Sequence, residues 1–304
     1  MQYDTHTMID IDIYRFLKTA NLGELTGKTY RTYIERFYWY CKDNQIDPDK
    51  ADAIHVHEWF KTKPKWSNST QVYASASLRA FYSWKYGKAH PMMELKIKKR
   101  KPPPQRTMTG EEVLQVMASL DNSTYTGIRN LALITLMVDT GLRASEVCNV
   151  MLSKMDLKNC KLQVLIKGGE WGEAAYFDYT QDCIHRWLAI RPFVADPTCE
   201  YLICSIGGKV PGKKMTRYGL RSTLERICKR AGVQGISPHV MRRTFATLAT
   251  ENGAPSRLLQ VAGRWKDIRM VETYTRTLQA DKIRPYSVVN RLMGLTTNEP
   301  DSKQ

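Results

Sequence analysis

The chain has 304 residues, with 46 Lys and Arg against 30 Asp and Glu for a formal net charge of +16, and 42% of its residues are hydrophobic. Such a chain exceeds one ordinary core, so two folded domains are expected, and its positive excess calls for a polyanionic partner, either nucleic acid or an anionic membrane surface. No apolar run approaches the roughly 20 residues that span a bilayer, no lipidation motif is present, and Met1-Gln2-Tyr3-Asp4-Thr5-His6 lacks a signal peptide's basic-then-apolar order, so a cytoplasmic protein is expected and membrane association is the weaker reading.

The first part reads as four helices, near 10–20, over 26–44, near 51–61 and near 67–86. The second is the clearest, because Tyr30, Tyr33, Ile34, Phe37 and Cys41 recur on one helical face. Lys98, Lys99, Arg100 and Lys101 then stand directly before Pro102-Pro103-Pro104, a composition that neither builds a core nor continues a helix. We read 96–107 as a basic linker between a helical domain, 1–95, and a second domain, 108–304. Its cations are expected to lie along a phosphate backbone, with plain solvation as the alternative.

Thr109 followed by Glu112 is a capping-box pattern that starts a helix with Val113, Val116 and Met117 on its apolar side. The stretch 128–138 is almost uniformly apolar, as in a helix buried all round, and stops at Asp139-Thr140-Gly141. Strands at 162–166 and 174–179 are expected to flank Lys167-Gly168-Gly169-Glu170-Trp171-Gly172 as a β-hairpin. Leu220, Leu224, Ile227, Cys228 and Ala231 share one helical face closed by Gly232, and the remainder is expected to be helical to about Leu295. The seven cysteines form no C-x-x-C pair, so they read as reduced, mostly buried thiols.

Four local signals stand in order along the second domain. They are Thr140-Gly141-Leu142-Arg143-Ala144-Ser145-Glu146, Lys167 on the hairpin, Ser237-Pro238-His239-Val240-Met241-Arg242-Arg243, and Gly263-Arg264-Trp265 with Tyr274 nine residues further on. Each is weak alone. In this order and at these separations they resemble the tyrosine recombinase (phage integrase) family, over nearly the whole chain.

The resemblance implies a mainly α fold with a small β-sheet: a two-domain, C-shaped DNA clamp with a helical core-binding domain and a catalytic domain. It implies site-specific cleavage and rejoining of duplex DNA at an inverted-repeat core site, with Tyr274 forming a 3′-phosphotyrosine and a homotetramer passing through a Holliday junction, aided in some systems by accessory proteins. Arg143 and Arg242 would hold the non-bridging phosphate oxygens by charge-assisted hydrogen bonds. His239 would accept the phenol proton, and Lys167 would protonate the leaving 5′ oxygen, unless it is an ordinary turn lysine.

Trp265 departs from the commoner histidine of the family; its indole can donate one hydrogen bond but cannot transfer a proton. Arg243 stands where many members have histidine and is assigned no role. Glu146 either orients Arg143 or satisfies a helix. No cofactor, metal or ATP is expected. Beyond Tyr274, Leu278, Ile283, Val288, Val289, Leu292 and Met293 make an apolar face interrupted by Pro285, read as a terminal oligomerisation helix that docks into a neighbouring protomer. The alternatives are a catalytically silent DNA-binding protein of the same fold, which should have lost some of these residues, and a type IB topoisomerase or telomere resolvase using the same chemistry.

Overall fold

The computed structural model describes residues 5–100, 105–166, 169–275, 289, 292 and 293. The chain divides into two compact units, Met1–Pro103 and Pro104–Gln304.

The first unit contains α1 (Thr5–Thr19), α2 (Glu24–Asp43), α3 (Ala53–Lys61) and α4 (Asn68–Tyr86), the four helices expected there. Local chemistry sets their ends. Asp52 accepts the backbone N–H groups of Ile54 and His55 at 2.9 and 3.1 Å to start α3, Ser67 accepts that of Thr70 at 3.1 Å to start α4, and Gly87, at φ +84°, ends α4. The face of α2 read from the sequence faces the core, with Ile34, Phe37 and Cys41 buried and Tyr30 and Tyr33 packed at its edge. Aromatic edges interlock there, Phe37 with Trp59 at 5.2 Å and Trp59 with Trp66 at 5.0 Å between ring centroids.

Ordered packing continues into the basic stretch after this core. Leu95 is buried and Ile97 packs against the cluster, while Asn68 donates to the carbonyl of Lys98 at 3.1 Å and accepts from the N–H of Arg100 at 2.8 Å. The side chains of Lys98, Lys99 and Arg100 are exposed. Lys101 lies outside the described residues.

The second unit contains α5 (Gly110–Ala118), α6 (Tyr125–Thr140), α7 (Ala144–Cys148), β1 (Met155–Asp156), β2 (Lys161–Leu165), β3 (Trp171–Ala175), α8 (Asp178–Ile190), α9 (Arg217–Arg230), α10 (Pro238–Glu251), α11 (Ser256–Ala262) and α12 (Arg269–Thr275). The capping box at Thr109 and Glu112 forms reciprocally, and Met108 behind it is buried in the core. Helix α6 is buried from Leu131 to Met137 and passes through the middle of that core, as its unbroken apolar run requires.

The three strands form an antiparallel sheet in the order β1-β2-β3, with Leu165 opposite Trp171 and Lys161 opposite Ala175. The second hairpin strand therefore begins three residues before the 174–179 expected from sequence, and Asp178 already belongs to α8. The reason is a tight reversal: Ile166 and Glu170 close the ladder at 2.8 Å, and Gly169 takes φ +86° inside it. Gly172, lacking a side chain, reads as turn rather than strand. Lys167 and Gly168 lie outside the described residues, as do the side chain of Tyr274 and, apart from Val289, Leu292 and Met293, everything beyond Thr275; those three are exposed.

Among the described residues the seven cysteines are free, and all but Cys160 are buried. Burial pushes the Cys41 thiol up to about 12 and those of Cys148 and Cys228 up to about 11. No helix among the described residues is long and apolar enough to cross a membrane.

Candidate active site

The site begins where α6 ends. Gly141 caps that helix at φ +58°, and a Cβ there would lie 2.2 Å from Phe245 Cδ1, so both backbone conformation and close approach require glycine. The turn delivers Arg143 to the N-cap of α7. Its backbone N–H donates to Glu146 Oε2 at 2.9 Å and its guanidinium to Oε1 at 2.6 Å, with the carboxylate 1% exposed and the arginine 34% exposed. Of the two roles the sequence left open for Glu146, the structure contains both: it caps the helix and orients Arg143.

Helix α10 carries the second group. Ser237 caps it, Pro238 occupies its first turn, and His239 and Arg242 follow three residues apart. Arg242 is buried, donating to the carbonyl of Gly141 at 2.5 Å and to that of Gly263. It thus fastens the end of α6 to the turn after α11, two segments distant in sequence. Arg243 beside it is also buried, bonded to Gln105 and to the carbonyl of His239. His239 is exposed, yet partial loss of water around its ring, and then the charges of Arg243, Arg242 and Arg143, hold its imidazole below the ordinary value.

The third group lies on the α11–α12 turn. Trp265 is buried, stacked on Phe245 at 6.4 Å with 14° between planes, and lies under the guanidinium of Arg242 at 4.3 Å from its ring centroid. Gln260 braces it, accepting its N–H at the backbone carbonyl at 3.0 Å and donating from Nε2 to its carbonyl at 3.1 Å. A Cβ on Gly263 would meet the indole at 1.7 Å, so this residue too must be glycine. Phe245, Ala246, Leu259, Trp265 and Val271 make a separate small core, and Val271 anchors α12, the helix that contains Tyr274.

Arg143, His239, Arg242 and Trp265 therefore come together from three separate stretches of chain, beside the helix of Tyr274. Lys167 belongs to the connection between β2 and β3. Sequence reasoning missed Arg264, which donates to the carbonyl of Thr140 at 3.1 Å and approaches Glu146 Oε2 at 3.4 Å. It stands inside the Gly263-Arg264-Trp265 box, but no periodic or spacing signal gives it a role of its own. Arg143, Arg242, Arg243 and Arg264 gather in this region against the buried carboxylate of Glu146, leaving an excess of positive charge suited to an anion.

Residues 106–280 match the model of the phage integrase family. The XerD tyrosine recombinase of Lacticaseibacillus casei is 30% identical over 284 residues, covering 89% of this chain and 94% of its own length. The XerC tyrosine recombinase of Staphylococcus carnosus is 29% identical over 254 residues, 76% and 84% of the two chains. Among solved structures, the XerH site-specific recombinase in a post-cleavage complex with palindromic difH substrate aligns with a TM-score of 0.71 at 19% identity, over 89% of this chain and 81% of that one. A lambda integrase dimer bound to a COC′ core site aligns at 0.69 and 15% identity, over 91% and 98%. At such identities these two structures speak for the fold alone. The chain belongs to the phage integrase family of tyrosine site-specific recombinases, enzymes that cleave and rejoin DNA.

Proposed function

We propose that this enzyme cuts duplex DNA at an inverted-repeat core site through a covalent bond to Tyr274, and that four protomers on two such sites exchange strands in pairs through a Holliday junction. The Tyr274 hydroxyl oxygen attacks the scissile phosphorus and its proton passes to His239. The bond from phosphorus to the 5′ oxygen breaks, and that oxygen takes a proton from Lys167, leaving a 3′-phosphotyrosine and a free 5′-hydroxyl. A partner strand's 5′-hydroxyl then attacks the phosphotyrosine and restores the phenol. Bond energy is kept throughout.

The convergence of Arg143, Arg242 and His239 beside α12 carries this reading. Charge builds on the non-bridging oxygens as the phosphate is attacked, and guanidinium groups already fixed in place stabilise it without reorganising. Arg143, partly open to solvent and oriented by Glu146, is the arginine readiest to meet a phosphate. Arg242, buried against Trp265, gives the site its shape as well as its charge. The depressed pKa of His239 keeps the imidazole neutral near pH 7, the form that accepts a proton. Structures of XerH and lambda integrase on DNA lend the duplex substrate as an expectation.

Tyr274→Phe removes one oxygen and no charge, so it should abolish cleavage with DNA affinity nearly unchanged. A nicked suicide duplex carrying the target site traps the covalent adduct with the wild-type chain. An adduct that still forms with the Phe variant would assign the nucleophile to another residue.

A further inference from the structure

Arg264 combines a strained backbone with a side chain that touches several segments at once. Its φ is +55°, in the left-handed region that favours glycine, and its side chain is 5% exposed. One terminal nitrogen donates to the carbonyl of Ala262 at 2.6 Å and reaches that of Glu173 in β3 at 3.4 Å; the other donates to the carbonyl of Thr140 at 3.1 Å and approaches Glu146 at 3.4 Å. The carbonyl of Arg264 itself accepts from the Arg143 guanidinium at 3.3 Å. Gly172 is packed beneath this side chain so closely that a Cβ there would lie 3.2 Å from Arg264 Cδ.

A residue held in the left-handed region persists only where its surroundings determine it, and here those surroundings are the end of α6, the Arg143–Glu146 pair and the strand that follows Lys167. The planar fork of a guanidinium can serve several acceptors at fixed angles, which an ammonium cannot. We infer that Arg264 is a positioning residue that holds the β2–β3 hairpin, with Lys167 in its connection, in register with Arg143 and Glu146. The inference rests on the reading of Lys167 as the proton donor only for its effect on rate; the hold on the hairpin stands apart from it.

Hydrogen exchange and single-turnover cleavage by the full chain test the two parts together. Arg264→Gly deletes the side chain and suits the left-handed backbone. Arg264→Lys keeps a charge but not the fork, and carries the same measurements should the glycine variant not fold. In both, amides of β2 and β3 should exchange on the order of tenfold faster while those of α6 and α8 stay as in the wild type.

Cleavage of an ordinary 5′-oxygen substrate should fall on the order of 10- to 100-fold, and return to within about threefold of wild type on a 5′-bridging phosphorothiolate whose sulfur leaves unprotonated, as it should for Lys167→Ala. Unchanged exchange in the hairpin overturns the inference whatever the rates. Sulfur rescue of Lys167→Ala without rescue of either Arg264 variant overturns it as well, since Arg264 would then act elsewhere. Faster hairpin exchange with no sulfur rescue of Lys167→Ala leaves the hold in place and removes Lys167 from the proton transfer, so that failure falls on the proposed function instead.

Discussion

His239 shows how burial and a local charge environment shift the titration of a side chain. Desolvation and the guanidinium groups of Arg243, Arg242 and Arg143 lower its pKa from the ordinary 6.5. Between the lowered native value and the unfolded one, the native state binds fewer protons than the unfolded chain. The contribution of this histidine to stability is therefore complete above about pH 6.5 and is lost as pH falls through that value towards the native one. An NMR titration of the His239 ring in the free protein should give a midpoint below 6.5; one at or above it would remove the arginines' influence. Gly141 sets a harder limit. Alanine there must adopt a positive φ and displace the Phe245 ring, and should cost about 2 to 4 kcal/mol in a urea melt, with cleavage reduced because Arg242 bonds the same residue's carbonyl.

At the scale of elements, the candidate active site depends on how helices start and stop. Helix α5 opens the second unit through the Thr109–Glu112 capping box, where Glu112 also pairs with Arg106 at 2.5 Å. Thr109→Ala should remove about 1 kcal/mol of stability with no change in DNA affinity, as read by thermal melting and by gel shift. A loss of affinity equal to that of a linker variant would show that this end of the unit touches DNA. Helix α10 is tied to the same region, Thr244 accepting the N–H of Met108 at 2.9 Å, so the start of the second unit and the His239–Arg242 helix are one construction. The sheet is simpler: Leu162 and Val164 point inwards while Lys161, Gln163 and Leu165 face solvent, the alternation of a half-buried strand.

For the whole molecule, the dominant physical property is a net charge of +16. Each phosphate that a cation neutralises releases counterions, so binding to duplex DNA should weaken steeply with salt. Lys98, Lys99 and Arg100 are exposed on a segment that Asn68 holds by its backbone, a fixed row of cations. Replacing these together with Lys101 by neutral residues should flatten the slope of log K against log salt by about 0.9 for each phosphate left unneutralised. An unchanged slope would place this row off the DNA.

The sequence by itself determined whatever is written within a few residues. The helix cap at Thr109, the unbroken apolar run of α6, and the boxes holding Arg143, His239, Arg242 and Trp265 are short-range patterns, because capping and helical faces act between neighbours in the chain. The hairpin's second strand was misplaced because Gly172 carries no side chain with which to alternate, and Glu146 stayed ambiguous because one carboxylate can serve a backbone and a guanidinium at once. Arg264 was named within the box of Trp265 but given no role. Its partners Thr140, Glu146 and Glu173 are remote in sequence, and the bond from Arg242 to the carbonyl of Gly141 likewise closes 101 residues of chain. Only tertiary packing decides such bonds, since a long side chain inside a core pairs with whatever carbonyls the packed elements leave within its reach.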